Sequence, residues 1–222
     1  MLLELKDVCG AEKGFCLQNI TFEVPEGYLV GLAGKNGAGK TTLLHYIADE
    51  KKRYTGSIRF SGEELHASHT KLMNKIAFVA DETPFFKMYT GRQNAQLLAP
   101  FYEEWDWELF YQAAEEQSMS AGSGLKLDRP LAKLSRGEYL RFQMAFAIAH
   151  HTRLYLLDEV TGGMDPVFRR EFFRLIHRIL EKEDASVLMT THIQEELEEK
   201  ADYAGILEEG RLISFREAGQ PL

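Results

Sequence analysis

The strongest chemical signal in the chain is Gly34-Lys35-Asn36-Gly37-Ala38-Gly39-Lys40-Thr41, continued by Thr42. It satisfies G-x-x-x-x-G-K-[ST], the spacing of a phosphate-binding loop. Glycines at these positions let successive amides converge on one concavity and surround phosphate oxygens. Lys40 adds a point charge for β and γ phosphates, and the Thr41 hydroxyl is placed to ligate magnesium. The context fits: an apolar run, Tyr28 to Ala33, precedes the loop, and a helix-like stretch from about Lys40 to Ala48 follows it with its positive end toward the anion. The loop points to a nucleotide and leaves its use open, because kinases, GTPases, helicases and transport ATPases all carry one.

A second pair of reactive groups, Asp158-Glu159, ends the apolar run Leu154 to Leu157. Open parallel sheets bind ligands at that edge. Asp158 is suited to hold magnesium through water, and Glu159 to orient or deprotonate a water beside the γ phosphate. Further upstream, Leu134-Ser135-Arg136-Gly137-Glu138 opens a helix rich in Ala and large apolar residues. Ser135 and Glu138 have the spacing of a capping box, as do Thr90 and Gln93. The same free amides, the Ser135 hydroxyl and the close approach permitted by Gly137 also describe an anion site.

Positioning these groups requires a sheet. Alternation over Leu2 to Val8 and a run from Ile20 to Val24 read as strands, and the turn Pro25-Glu26-Gly27 leads into Tyr28 to Ala33, whose unbroken apolar character predicts burial on both faces. A hairpin is expected around Gly56 to Gly62, and strands at Ile76 to Ala80, Leu154 to Leu157 and Ser186 to Thr190. Thr90 to about His150 is helical in texture, with a loop over Ser118 to Pro130; Asp165 and Pro166 read as N-cap and first position of a later helix. The order predicts an α/β fold with a parallel-sheet core interrupted by helices.

Composition narrows the field. With 45% apolar residues in 222, and 26 Lys and Arg against 34 Asp and Glu for a net charge of −8, the chain reads as globular and repels nucleic acid and anionic lipid. No window approaches the ~18 apolar residues of a membrane span. Met1 to Lys6 is neither a signal nor a transit peptide, so a cytoplasmic location is expected. Cys9 and Cys16 lack the spacing of a metal site or disulfide framework and read as free structural thiols.

In order, GKNGAGKTT, LSRGE, LYLLDEVTGGMDP and TTH resemble the ATP-binding cassette (ABC) family of transporter ATPase subunits over almost the whole chain. The resemblance implies a P-loop NTPase (RecA-like) core with an N-terminal antiparallel β subdomain and an inserted helical subdomain. In numbers, that is one domain over 1–222, with core segments 1–83 and 151–222 and a helical subdomain at 84–150. It implies ATP and Mg2+ as ligands, and catalysis by Glu159, His192 and Lys40. His192 matches the switch histidine of the family, an imidazole able to donate a hydrogen bond to the γ phosphate. Two cassettes, identical or different, would join head to tail so that Ser135 and Gly137 cap the phosphate held by the opposite loop. Gly162 to Asp165 would touch the other subunit. A separately encoded membrane subunit is the implied partner, with this chain peripheral on the inner face of the cell membrane and no role for nucleic acid.

Several positions depart from the family pattern. Arg136 and Glu138 replace a Gly and a Gln, a variation similar to bacterial drug and antibiotic exporter cassettes, which favours export. Arg136 either adds charge near the opposite γ phosphate or pairs with a neighbouring acid. Asp81, with Glu82 beside it, stands where the lid glutamine is expected; a carboxylate can ligate magnesium but donates no hydrogen bond when ionised, and Asp81 is expected to reach the metal once ATP and a second subunit are present. Val160 replaces a Pro. The aromatic that stacks on adenine is missing from Cys9 to Glu12, leaving Phe15 as candidate or as core. Pro84 to Tyr89 is either core or part of a groove for a helix of the membrane subunit. The acidic run Glu195 to Glu199 reads as a solvated helix face. The rivals are a soluble ABC-type ATPase of translation or DNA repair, a regulatory cassette with weak hydrolysis, and a P-loop kinase or GTPase that would leave LSRGE and His192 unexplained.

Overall fold

The computed structural model describes residues 1–12, 14–49, 53–67, 69–81, 85–116, 125–182 and 185–218. The chain opens with the strands β1 (Leu3–Glu12) and β2 (Phe15–Val24) and turns at Gly27 into β3 (Leu29–Ala33). α1 (Lys40–Ala48) follows the glycine-rich loop, and β4 (Thr55–Phe60) with β5 (Glu63–Glu64) returns to β1. Next come α2 (His69–Met73), β6 (Ile76–Val79), α3 (Gly91–Leu98), α4 (Trp107–Glu116) and α5 (Arg136–Ala149). The remainder is β7 (Leu154–Asp158), α6 (Pro166–Lys182), β8 (Ser186–Thr191), α7 (Gln194–Lys200) and the hairpin β9 (Tyr203–Glu208) and β10 (Arg211–Glu217).

This is the α/β arrangement expected of a P-loop NTPase. An antiparallel sheet, β2-β1-β4-β5, packs against a second sheet ordered β10-β9-β3-β8-β7-β6, which is parallel except at β10. Alternate residues of the parallel strands serve two cores, as the pleat requires. Leu29, Tyr155, Leu157, Val187 and Met189 join Phe142, Phe146 and Ile176 of α5 and α6. Val30, Leu32, Leu154, Leu156 and Leu188 join α1 and the antiparallel sheet through Leu43, Ile47, Leu5 and Ile20. Burial on both faces is why these strands have unbroken apolar sequences.

Register then positions the chemistry. Ala33 pairs with Thr191, Asp158 with Thr190, and Val79 with Leu157. The C-terminal ends of these adjacent strands therefore finish level, and the segments starting at Gly34, Glu159, His192 and Ala80 emerge side by side. Local chemistry sets the helix starts. Thr90 caps α3 reciprocally with Gln93, and Asp165 Oδ1 accepts from the amides of Val167 and Phe168 at 3.0 Å to start α6.

The first two strands are longer than their sequence alternation suggests. β1 shifts register between Leu5 and Val8 and again between Val8 and Gly10, which breaks the period of two that alternation depends on. The β9–β10 hairpin has no clear signature in the sequence, since its partly buried edge carries Arg211, Arg216 and Glu217. Of the expected loop at Ser118 to Pro130, residues 118–124 lie outside the described residues; Pro130 bridges to Thr90. Cys9 and Cys16 are free, and the Cys9 thiol donates to Asn19 Oδ1 at 3.0 Å.

At the end of α5, His150 is 3% exposed, with its ring stacked 4.2 Å from that of Tyr102 and Nδ1 3.2 Å from the Asn74 carbonyl oxygen. Burial lowers its pKa from the ordinary 6.5 to about 4, with the Asn74 hydrogen bond opposing and the Lys75 charge assisting. The unfolded chain therefore takes up this proton near pH 6.5 and the folded one only near pH 4. Stability is full above 6.5 and falls as the pH drops toward 4, by about 3 kcal/mol across the window. The urea midpoint should drop between pH 7 and pH 5, and drop distinctly less in His150→Phe, which keeps the stack but cannot titrate. Equal slopes in the two proteins would contradict this.

Candidate active site

The loop leaving β3 closes on its own lysine. Gly37 and Gly39 have φ of 82° and 107°, and a Cβ at Gly39 would lie 2.6 Å from the Phe15 ring, so the turn needs glycine there on both counts. Lys40 is 3% exposed, yet its ammonium is fully engaged: Nζ donates to the carbonyls of Gly34 at 2.7 Å and Lys35 at 3.1 Å and sits 2.9 Å from Glu159 Oε1. Three donors meet three oxygens.

The two acids after β7 are held differently. Asp158 is anchored by hydroxyls, taking Thr41 Oγ1 at 2.7 Å on Oδ2 and Thr190 Oγ1 at 2.6 Å on Oδ1. Glu159 has φ 49°, a left-handed backbone uncommon outside glycine, and its N–H donates to the Thr190 carbonyl at 3.1 Å. Its carboxylate lies between Lys40 and His192, with Nδ1 of the imidazole 3.6 Å from Oε2. A water held here would have a carboxylate base, a cation and an imidazole around it. No group of three or more His, Cys, Asp or Glu residues that could hold a metal ion occurs among the described residues. The Thr41–Asp158 oxygen pair instead fits magnesium, a hard cation that takes most of its ligands from phosphate and water.

Ser135 begins α5 with the expected capping box: its Oγ accepts the Glu138 amide at 3.2 Å, and its own amide donates to Glu138 Oε2 at 2.7 Å. That amide, more than the nearby arginines, holds the Glu138 carboxyl below the usual range. Gly137 leaves room beside the Phe168 ring, and an open cavity lies between Ser135 and Gly137 on one side and Gly163 and Met164 on the other. The two departures from the family pattern meet each other. Arg136 Nε lies 2.7 Å from Asp81 Oδ1, and its Nη2 donates to the Glu159 carbonyl at 3.3 Å. Of the two readings of Arg136, the structure contains the pairing with an acid, and it engages Asp81 with Arg136 rather than with Thr41 or Asp158. Phe15 is half-buried, with its ring over Gly39 and Gly210 at the shoulder of the loop.

Two expectations change. The acidic run is not one solvated face: Glu195, Glu198 and Glu199 are exposed, but Glu196 is buried and accepts from Thr161 Oγ1 at 2.6 Å and Thr191 Oγ1 at 3.2 Å. Its helical spacing from Ile193 and its place beside buried Leu197 are the signals that mark it. The segment at 84–89 divides between its two readings. Pro84 lies outside the described residues, Phe85 packs edge-on against Phe142 and Phe146, and Phe86, Met88 and Tyr89 are exposed. Asn94, fully buried and unremarkable in the sequence, fixes that segment by accepting the Phe86 amide at 2.8 Å and donating to the Phe86 carbonyl at 3.1 Å.

Residues 17–162 match the family model described as ABC transporter. A bacitracin transport ATP-binding protein of Bacillus licheniformis is 28% identical over 210 residues, covering 95% of this chain and 67% of that protein. An uncharacterised ABC transporter ATP-binding protein of Bacillus subtilis is 30% identical, with coverages of 88% and 62%. A lantibiotic transport ATP-binding protein of Streptococcus pyogenes is 27% identical, with coverages of 90% and 84%. The chain thus spans about two thirds of the length of the first two relatives. Among solved structures, an ATP-binding subunit of an ABC transporter superposes with a TM-score of 0.82 at 26% identity, over 98% of this chain and 90% of that one. A dimeric ATP-binding cassette in a post-hydrolysis state with ADP and Pi gives 0.83 at 22% identity, over 99% and 100%.

Proposed function

Since the chain belongs to the ABC transporter family, as an ATP-binding and ATP-hydrolysing subunit, we propose that it powers export by a separate membrane subunit, with Glu159 as the base of the hydrolytic step. The observation that carries this is the meeting of Lys40, Glu159 and His192 beside Asp158 on one sheet edge. The amides of Gly34 to Gly39, with Lys40, Thr41 and Thr42, cradle the phosphates. Thr41 and Asp158 would hold magnesium, which when bound would supply positive charge to the phosphate oxygens. A γ phosphate on Lys40 draws Nζ off Glu159, freeing that carboxylate to take a proton from water, and His192 donates to a γ oxygen.

Ser135 and Gly137 act on the phosphate of a second cassette, identical or different, that fills the cavity beside them. Glu159→Gln should cut turnover by about 100-fold or more and leave an ATP-bound dimer visible by light scattering. Full turnover would remove Glu159 as base, and a persistent monomer would remove the roles of Ser135 and Gly137.

At the loop, Phe15 stacks on adenine, and Asp81, once released from Arg136, would be a further carboxylate able to ligate magnesium. Nucleotide titrations separate these roles. Phe15→Ala should weaken ATP binding several-fold, on the order of the 0.5–1.5 kcal/mol of a stacked pair, with or without magnesium; Asp81→Ala should weaken it only with magnesium. A metal-independent loss in Asp81→Ala, or none in Phe15→Ala, refutes the respective role.

Export is supported by the bacitracin and lantibiotic transport functions of the named relatives. No helix among the described residues is long and apolar enough to cross a membrane; the membrane subunit is proposed as a separate chain, with this one peripheral on the inner face of the membrane. Phe86, Met88 and Tyr89, held out by Asn94, suit an apolar helix of that subunit. Phe86→Ser should lose copurification with a membrane protein while keeping ATP affinity; undiminished copurification would refute the surface.

A further inference from the structure

A carboxylate outside the phosphate site touches both loops that carry its reactive groups. Glu196, on α7, has a side chain 4% exposed. One of its oxygens, Oε2, accepts from Thr161, two residues after Glu159, and from Thr191, immediately before His192. The other, Oε1, faces Arg169 Nε of α6 at 3.4 Å, and Arg169 reaches on to the Met164 carbonyl through Nη2 at 3.4 Å. We infer that Glu196 is a positioning residue for hydrolysis, tying the Glu159 loop and the His192 turn to each other through one buried carboxylate.

Burying a carboxylate is unfavourable unless it is paired and hydrogen-bonded. A leucine would fill the same helix face without that cost, so packing alone does not account for the acid. Its bonds are charge-assisted, and they join the two segments just beyond the last β7–β8 pair, Asp158 with Thr190. The Thr191 hydroxyl, while donating to Glu196, also accepts the Ile193 amide at 3.1 Å, which fixes the turn around His192. Thr161 is fully buried, and the chain between it and Glu159 is a tight turn closed by the Gly162 amide on the Glu159 carbonyl at 3.3 Å. Glu159 itself has the left-handed φ of 49°, a conformation that persists where its surroundings over-determine it. Thr190 holds that residue from the front, through its amide and through Asp158, and Thr161 with Glu196 holds the loop from behind. The carboxylate touches neither Lys40 nor the glycine-rich loop, so its influence falls on turnover rather than on capture of ATP.

This inference rests on the roles proposed above for Glu159 and His192, and the test separates the two. In the full chain, Glu196→Gln and Thr161→Val should each lower kcat by about tenfold or more, as small displacements of reacting groups do, with the Kd for ATP changed less than about twofold. Thr161→Ser, which restores the hydroxyl, should recover most of the lost kcat. Because both groups act through one bond, the double variant Thr161→Val/Glu196→Gln should be little worse than the worse single one. Unchanged kcat in Glu196→Gln and Thr161→Val, or losses that multiply in the double variant, would overturn the inference. If Glu196→Gln does not fold, the Thr161 pair decides alone: Ser as impaired as Val overturns it. Glu159→Gln serves as the control. If it retains turnover, the underlying assignment of Glu159 has failed; if it loses turnover while Thr161→Val keeps full kcat, the inference on Glu196 alone has failed.

Discussion

A lysine with 3% of its surface exposed must be surrounded by oxygen atoms, and much of this sheet edge follows from meeting that demand at Lys40. Two of the oxygens are backbone carbonyls of the glycine-rich loop, so the loop must fold back over its own helix start; the positive φ of Gly37 and Gly39 allows this. The third belongs to Glu159 and is available only because β7 ends beside β8 and level with it, one strand away from β3. A shift of one residue in that register would send Asp158 and Glu159 to opposite faces from those they occupy, and would exchange the side chains of β7 between the two cores. The apolar packing that fixes register is thus the same packing that fixes the charge geometry.

What was legible in the sequence was what is local. The glycine-rich loop, the capping boxes at Thr90 and Ser135, the Asp165 cap and the acids ending β7 each draw meaning from residues within a few positions, where backbone hydrogen bonding and helix geometry operate. The misses are groups whose partners are distant along the chain. Asp81 and Arg136 are 55 residues apart, so although pairing with an acid is one of the two readings of Arg136, nothing local points to Asp81 as that acid. Glu196 is the other: its spacing from Ile193 and its place beside Leu197 mark an inward face, but the partner it meets there, Thr161, lies 35 residues away. The bulges in β1 erased the alternation that would have shown its full length.

The Asp81–Arg136 pair also shows why geometry alone does not measure importance. Both side chains are more than a third exposed, and a pair of that kind contributes about 0–1 kcal/mol. It can therefore be exchanged for another partner at little cost. Arg136 also bonds the Glu159 carbonyl, so its position is linked to the loop that carries the proposed base.

The carboxylates at this edge thus fall into two kinds. Asp158 and Glu196 are anchored, each by two threonine hydroxyls, with the shorter bond of each at 2.6 Å, and each spans two elements. Glu159 and Asp81 are held chiefly by a cation, Lys40 in one case and Arg136 in the other. A hydroxyl bond to a buried acid is costly to break, because the acid is left without a partner. The exposed Asp81–Arg136 pair is not, because water replaces the lost partner, and at buried Lys40 an incoming phosphate would take the place of Glu159. Anchored acids suit holding a metal or a loop in a fixed place, and exchangeable ones suit changing partners when a polyanion arrives. Paired adjacent threonines, Thr190 on Asp158 and Thr191 on Glu196, keep the fixed set in register with one strand, so that the movable set has a rigid frame to move against.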